Sequence, residues 1–137
     1  MPVQLKLDTI RKLLVAHASG QITTDDIIGA TGDEIARTKG ASLHSDCLII
    51  LDKTADYHQM DFDAMMRLKD KVEHWVACYP GRNIRTAFVV PHSRQLAVCT
   101  LWRAMAQLFP GIGEQPRIFE TESTALDWLR PGNELRH

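Results

Sequence analysis

Several residues that can take part in acid–base or ligand-binding chemistry directly follow predicted strands. Asp52 closes the apolar run 46–52, and His92 comes shortly after a second apolar run that ends at Val90. The carboxyl ends of parallel strands meet at one edge of a sheet, where ligands usually bind. Helix amino termini at the same edge favour an anion. The candidate ligand-binding residues at this edge are Asp52, His58, Asp61, His92, Ser93 and Arg94.

The same residues also allow a catalytic and a purely structural interpretation. Asp52 and His92 have the residue types of an oriented acid–base pair, and with His58 they would form an enzyme site if the three converged in a pocket. In the structural interpretation, Asp52 and Ser93 cap backbone groups and His92 is a solvated turn residue. The chain has no glycine-rich phosphate loop and no nucleophile elbow. We therefore expect that the protein is not an enzyme, and we assign no catalytic residue.

One pair of residues has the spacing of metal ligands. His74 and Cys78 are four residues apart in a predicted helix, so they share a face and have the residue types that bind zinc. A zinc site needs two more ligands, and the other histidines and cysteines are scattered along the chain. The sequence therefore predicts no metal and no cofactor.

Composition excludes several classes of protein. The formal net charge is −1, which argues against a dedicated nucleic-acid binder because such proteins carry a basic excess. The three cysteines are an odd number without CxxC spacing, so a reducing compartment is expected rather than a disulfide framework. We see neither a signal peptide nor an apolar run long enough to span a membrane. These observations predict a cytoplasmic protein.

The apolar patterns predict an α/β domain. Two strands at 3–7 and 13–18 are close enough to pair as a hairpin, and strands then alternate with amphipathic helices. The predicted order is ββαβαβαβα, which implies a five-stranded, mixed, mostly parallel sheet with four helices and an antiparallel first strand. We expect a single domain over 1–131 and a tail over 132–137.

Helix boundaries follow from capping residues. Thr23 can cap the first helix with Asp26 three residues later, and Asp61 and Thr121 can cap the second and fourth. Pro131 and the glycine after it are expected to end the fourth helix.

The third helix carries more apolar surface than one covered face requires. One stripe, which includes Ala97 and Ala104, is expected to cover the sheet. A second stripe faces partly away, and it is covered either by neighbouring helices or by a partner. A homodimer contact or an apolar-ligand groove would use its residues, Val98, Trp102, Met105 and Phe109.

The order of motifs resembles a known family. A hairpin leads to SGQITTDDI, then CLIILD, an amphipathic helix, RTAFVVPHSR, an apolar helix and RIFETESTALDWL. This pattern resembles the SpoIIAA-like group of the STAS superfamily over roughly residues 5–129. The resemblance implies a SpoIIAA/STAS-like fold, because the matching pieces are fold markers and not catalytic signatures.

The phosphorylation switch best known in that superfamily is not carried over. Its anti-sigma-factor antagonists have a phosphorylatable serine at the start of the helix after the central strand, and the matching position here is Phe62. Because the chain has no catalytic signature and resembles this family, we expect a non-enzymatic binding or regulatory module, with a second copy of the chain or another protein as partner. The alternative is a protein that binds a small ligand, either an anion or a lipid-like apolar molecule.

Overall fold

The computed structural model of this chain describes residues 2–57, 59–78, 85–91, 95–106 and 116–135, without the side chains of 43, 44, 76, 97, 98, 101, 105, 106 and 130–135. Its strands are β1 (Val3–Asp8), β2 (Leu13–Ala18), β3 (Asp46–Leu51), β4 (Thr86–Val89) and β5 (Arg117–Phe119). Its helices are α1 (Thr24–Arg37), α2 (Phe62–Cys78), α3 (Leu96–Ala106) and α4 (Glu122–Leu135), and a short 3₁₀ helix covers Ala41–His44.

The strands form one five-stranded sheet in the order β1-β2-β3-β4-β5. β1 pairs with β2 in antiparallel fashion, and the other neighbouring pairs are parallel. The predicted α/β class, the mixed sheet and the antiparallel first strand are therefore confirmed. The apolar run that contains β3 does lie at the centre of the sheet, as its continuous hydrophobicity predicts.

The two faces of the sheet are covered by different helices. Leu48 and alternate residues of the other strands pack against α4, with Ala125 and Leu129 at the contact. The opposite face, which includes Ile49 and Phe88, packs against α1 and α3. Side chains point alternately to the two faces of a strand, so each apolar strand contributes to both layers.

The first helix begins as its sequence predicts. The Thr23 hydroxyl accepts a hydrogen bond from the Asp26 N–H, and the Asp26 carboxylate accepts one from the Thr23 N–H. This reciprocal pair is a capping box, which satisfies two amide groups at the start of α1. At the other end, the left-handed backbone of Gly40 follows the helix.

Replacement of two glycines in and near α1 by alanine is expected to change the free energy of unfolding in opposite directions. A Cβ added at Gly29, inside α1, meets no atom within 4 Å, whereas Gly20 after β2 has a φ of +67°. We expect Gly29→Ala to raise the free energy of unfolding by about 0.5–1 kcal/mol, because alanine loses less backbone entropy in a helix. Gly20→Ala should lower it by about 1–2 kcal/mol because of the left-handed conformation. Urea denaturation measures both, and shifts of the same sign would contradict this prediction.

A buried glutamate binds the edge strand. Glu34 is 5% exposed, and its Oε2 atom accepts a hydrogen bond of 2.8 Å from the Leu7 N–H of β1. The Arg37 guanidinium donates to both carboxylate oxygens, at 2.7 and 2.6 Å. The side-chain bonds from Arg37 lower the pKa of Glu34, and the Leu7 N–H lowers it further. Helix α1 therefore satisfies an amide of the edge strand through a charged side chain, which we did not predict.

The fourth helix is longer than predicted. Thr121 accepts a hydrogen bond of 3.3 Å from the Thr124 N–H, in agreement with its predicted capping role. The helix then continues to Leu135 and does not end at Pro131, so part of the predicted tail is helical. Proline removes one helical hydrogen bond through its missing N–H, but residues after it can keep helical backbone angles. The prediction of a helix end at this proline is therefore wrong.

Within the described ranges, no helix combines the length and the apolar character needed to cross a lipid bilayer.

Candidate functional site

At the predicted ligand-binding edge, Asp52 organises a loop. Its exposed carboxylate accepts a hydrogen bond of 2.8 Å from the Thr54 N–H, and the Thr54 hydroxyl accepts one of 3.1 Å from the Gly20 N–H. The Thr54 N–H, and then the Thr54 hydroxyl, hold the pKa of Asp52 below its usual value. Asp52 thus joins the ends of β2 and β3, as the capping interpretation of this residue predicts.

Asp61 also binds backbone. Its Oδ1 atom accepts a hydrogen bond of 2.8 Å from the Ala64 N–H, which is the predicted cap of α2. The next residue, Phe62, is 65% exposed. The position that matches the superfamily's serine therefore presents an aromatic ring to solvent.

The other four candidate residues at this edge, His58, His92, Ser93 and Arg94, lie outside the described part of the chain. Whether Asp52, His58 and His92 converge therefore stays a prediction. Next to them, sequence analysis missed Gln95, which is 2% exposed. Its Nε2 atom donates to the carbonyl oxygens of Asp52 and Ala55, at 2.8 and 2.9 Å, and so fixes the start of α3 against the loop after β3.

The strand order bears on whether this edge forms a crevice. In open α/β sheets, ligands bind outside the carboxyl ends of strands at the point where the strand order reverses and the flanking helices separate to opposite faces. The order β1-β2-β3-β4-β5 has no such reversal. The geometric reason for placing a ligand at this edge is therefore weaker than the sequence suggested.

The possible metal pair does come together. The Cys78 Sγ and His74 Nε2 atoms are 3.7 Å apart on α2, as their spacing predicts. In the part of the chain that the structure describes, no group of three or more potential ligands surrounds a common point. The pair has no further ligands there with which to hold zinc.

A cavity of about 220 Å³ lies between the sheet and helices α1, α2 and α3. Its floor includes a row of side chains that crosses four strands. Leu5 of β1 lies opposite Ala16 of β2, Ala16 opposite Ile49 of β3, and Ile49 opposite Phe88 of β4. All four line the cavity, and Ala16 is the small member of the row. Its short side chain leaves space between longer neighbours.

The roof of the cavity comes from three helices and one loop. α2 contributes the most residues, including Met65, Leu68 and Trp75, which are nearly buried. The remaining lining residues above the sheet are Ile27, Thr31, Tyr57, Met60, Val72, Cys99 and Trp102. These residues of α2 thus face the cavity, and Met65 and Leu68 also belong to a cluster with apolar residues of α1.

Burial raises the pKa values of three ionisable side chains that line this cavity. Desolvation raises the pKa of Cys99 to about 12, and desolvation together with the nearby charge of Asp46 raises that of Cys47 to about 12. Desolvation also raises the pKa of Tyr57, with a smaller contribution from Cys99. These groups are therefore neutral at physiological pH, and neither thiol is activated as a nucleophile.

The predicted interface stripe on α3 is only partly described. Trp102 is half-buried, packs against the core and lines the cavity, whereas Ala104 of the other stripe is exposed. For these two residues the stripes face opposite to our expectation. The side chains of Val98 and Met105, and residue Phe109, lie outside the described part of the chain. A contact between two copies through α3 stays a prediction.

The sequence carried a weak signal of the cavity. Ala16 and Ala18 are small residues on the inward face of an otherwise bulky strand. Periodicity shows that such residues face inward, but it does not show whether the opposing helix fills the space. Comparison of the chain with protein-family models, with curated proteins and with solved structures finds no match, so membership of the STAS superfamily stays a prediction.

Proposed function

We propose that this protein is a STAS-like, non-enzymatic binding module, and that its ligand is a small apolar molecule held between the sheet and helices α1–α3. The observation that carries this proposal is the cavity of about 220 Å³ with its almost wholly apolar lining. Protein interiors are close-packed, so a space of this size is unusual in a folded domain. Small-molecule sites are typically concave, mostly apolar and lined by a few polar groups.

Two further observations favour the cavity over the strand-end edge. The carboxylates of Asp52 and Asp61, the two described candidates there, already accept hydrogen bonds from backbone amides, that of Asp52 in the loop after β3 and that of Asp61 in the first turn of α2. Both are also acids, which repel an anion. The resemblance to the STAS superfamily supports a binding role in general, because its matching segments include no catalytic signature.

A titration with toluene tests the proposal. Amide chemical shifts from ¹H–¹⁵N NMR should change for residues around Ala16, Met65 and Trp75. Native mass spectrometry of the purified protein would in addition detect a molecule that co-purifies with it.

The substitution Ala16→Leu tests whether toluene binds inside the cavity. A larger side chain in the centre of the cavity floor should weaken toluene binding by more than about tenfold, because it occupies space that the ligand needs. The control is Ala36→Leu, the same change at an exposed position of α1, which should leave binding unchanged. Equal toluene affinity in both variants, or no binding to the wild type, would contradict the proposed function.

A further inference from the structure

The lack of charged side chains in the described cavity lining limits the charge that a ligand can carry. The described lining residues include no aspartate, glutamate, lysine, arginine or histidine. A charged group held among these residues would therefore lose its hydration without gaining an opposite charge. A fatty acid carboxylate or a phosphate group does not suit such a site.

One strong hydrogen-bonding group stands out in this lining. Both Tyr57 and Cys99 line the cavity. Among the described residues, none forms a hydrogen bond with the Tyr57 hydroxyl. Tyr57 is half-buried, and its hydroxyl is not among the fully buried groups that lack a partner, so this oxygen is accessible to water or to a bound molecule. The Tyr57 hydroxyl therefore has capacity for a partner that the described chain does not supply.

The volume of the cavity further restricts the class of ligand by its size. A cavity of about 150 Å³ in another protein holds benzene, so about 220 Å³ suits a ring with one or two small substituents. The other hydroxyl in the described lining is the aliphatic one of Thr31, inside α1. A helical threonine hydroxyl can bond to a carbonyl of its own helix, so Thr31 has less need of a ligand.

We propose that the cavity selects an uncharged molecule of the size of a substituted benzene, and that the Tyr57 hydroxyl forms a hydrogen bond with an oxygen atom of that molecule. This inference rests on the proposed function, and it names the class of ligand for the same site. Tyr57 acts as a specificity-determining residue, while the apolar walls supply most of the affinity.

Three ligands of similar shape test the inference by isothermal titration calorimetry at pH 7: toluene, p-cresol and 4-methylbenzoate. A net hydrogen bond contributes about 1 kcal/mol, so p-cresol should bind the wild type about fivefold more tightly than toluene. Tyr57→Phe should abolish this preference, so that p-cresol and toluene bind the variant with about equal affinity. No binding of 4-methylbenzoate is expected. As a second measurement on the wild type, nuclear Overhauser effects should connect p-cresol with the Tyr57 ring.

Thr31→Val is the matched control, because it removes the other hydroxyl of the lining and should keep the fivefold preference. Retention of that preference in Tyr57→Phe, or equal affinity for 4-methylbenzoate and p-cresol, would overturn the inference. If toluene binds the wild type and p-cresol binds no better, the inference fails and the proposed function stands. If neither toluene nor p-cresol binds, both fail.

Discussion

Replacement of Leu48 by alanine is expected to lower the free energy of unfolding by about 3–4 kcal/mol, the largest effect of the substitutions considered for this protein. Leu48 lies in the central strand between Val15 of β2 and Ala87 of β4, and it is 0% exposed. Its side chain belongs to the core under α4, together with Leu129. The truncation removes apolar contacts and leaves a void that strands on both sides prevent from closing. Urea denaturation followed by circular dichroism measures the change.

Ile10 is the control for this prediction. It lies in the turn between β1 and β2 and is 93% exposed, so Ile10→Ala should change the free energy of unfolding by less than about 0.5 kcal/mol. A loss of under about 1 kcal/mol in Leu48→Ala, or similar losses in both variants, would show that β3 is not the packed centre of the sheet.

The second large change in the free energy of unfolding is expected for a substitution of Glu34. Glu34→Gln keeps the size of the side chain but removes the charge that binds Arg37 and the Leu7 N–H, so we expect a loss of about 2 kcal/mol at pH 7. The pKa of Glu34 is lower in the folded state than its ordinary value of 4.5. The stabilisation is therefore fully present above about pH 4.5 and is lost as the pH falls through the folded-state pKa.

The two proteins should therefore differ most at neutral pH and converge in acid. Urea denaturation at pH 7, 5 and 3 measures this convergence. Asp33→Asn is the matched control, because it makes the same type of change at an exposed neighbouring residue and should shift stability by less than about 0.5 kcal/mol. A difference between wild type and Glu34→Gln that is the same at every pH would contradict the electrostatic explanation.

Local patterns explain why much of the fold could be predicted. The β2 prediction matches the observed strand, and the β3 prediction extends one residue past its observed end at Leu51, because both are short apolar runs bounded by turn residues. The caps at Thr23, Asp61 and Thr121 were correct because a capping side chain acts on amides only two or three residues away. These features depend on neighbours in the sequence, which a single chain displays directly.

Features that depend on distant residues were harder to predict. Glu34 bonds to an amide 27 residues away, and Gln95 bonds to carbonyls about 40 residues away. A retrospective signal exists for Glu34, since it follows Ile27 by seven residues and Ala30 by four and therefore lies on the same helical face. An acid on an apolar helical face, with an arginine three residues later, indicates a buried ion pair.

The proposed site was the least predictable part of the molecule. Sequence reasoning identified residues by chemical type or by helical spacing, and so it named two places, the strand-end edge with Asp52 and Asp61 and an apolar groove along α3 that includes Trp102. The cavity is instead defined by the distance between two layers, and that distance depends on how α2 packs beside α1. Tyr57 was not singled out because a tyrosine in a loop carries no distinctive spacing. Its importance follows only from the apolar residues that surround it.

The strand order has a consequence for biosynthesis. Because β1 to β5 lie side by side in the order in which they are translated, each strand can join a partner that has already left the ribosome. The chain is synthesised from its amino terminus at roughly 5–20 residues per second, and a domain generally folds as a unit. Helix α4 is the last described element to emerge, and it covers Leu48 and Ala87. The nascent chain therefore exposes that apolar face until α4 is complete.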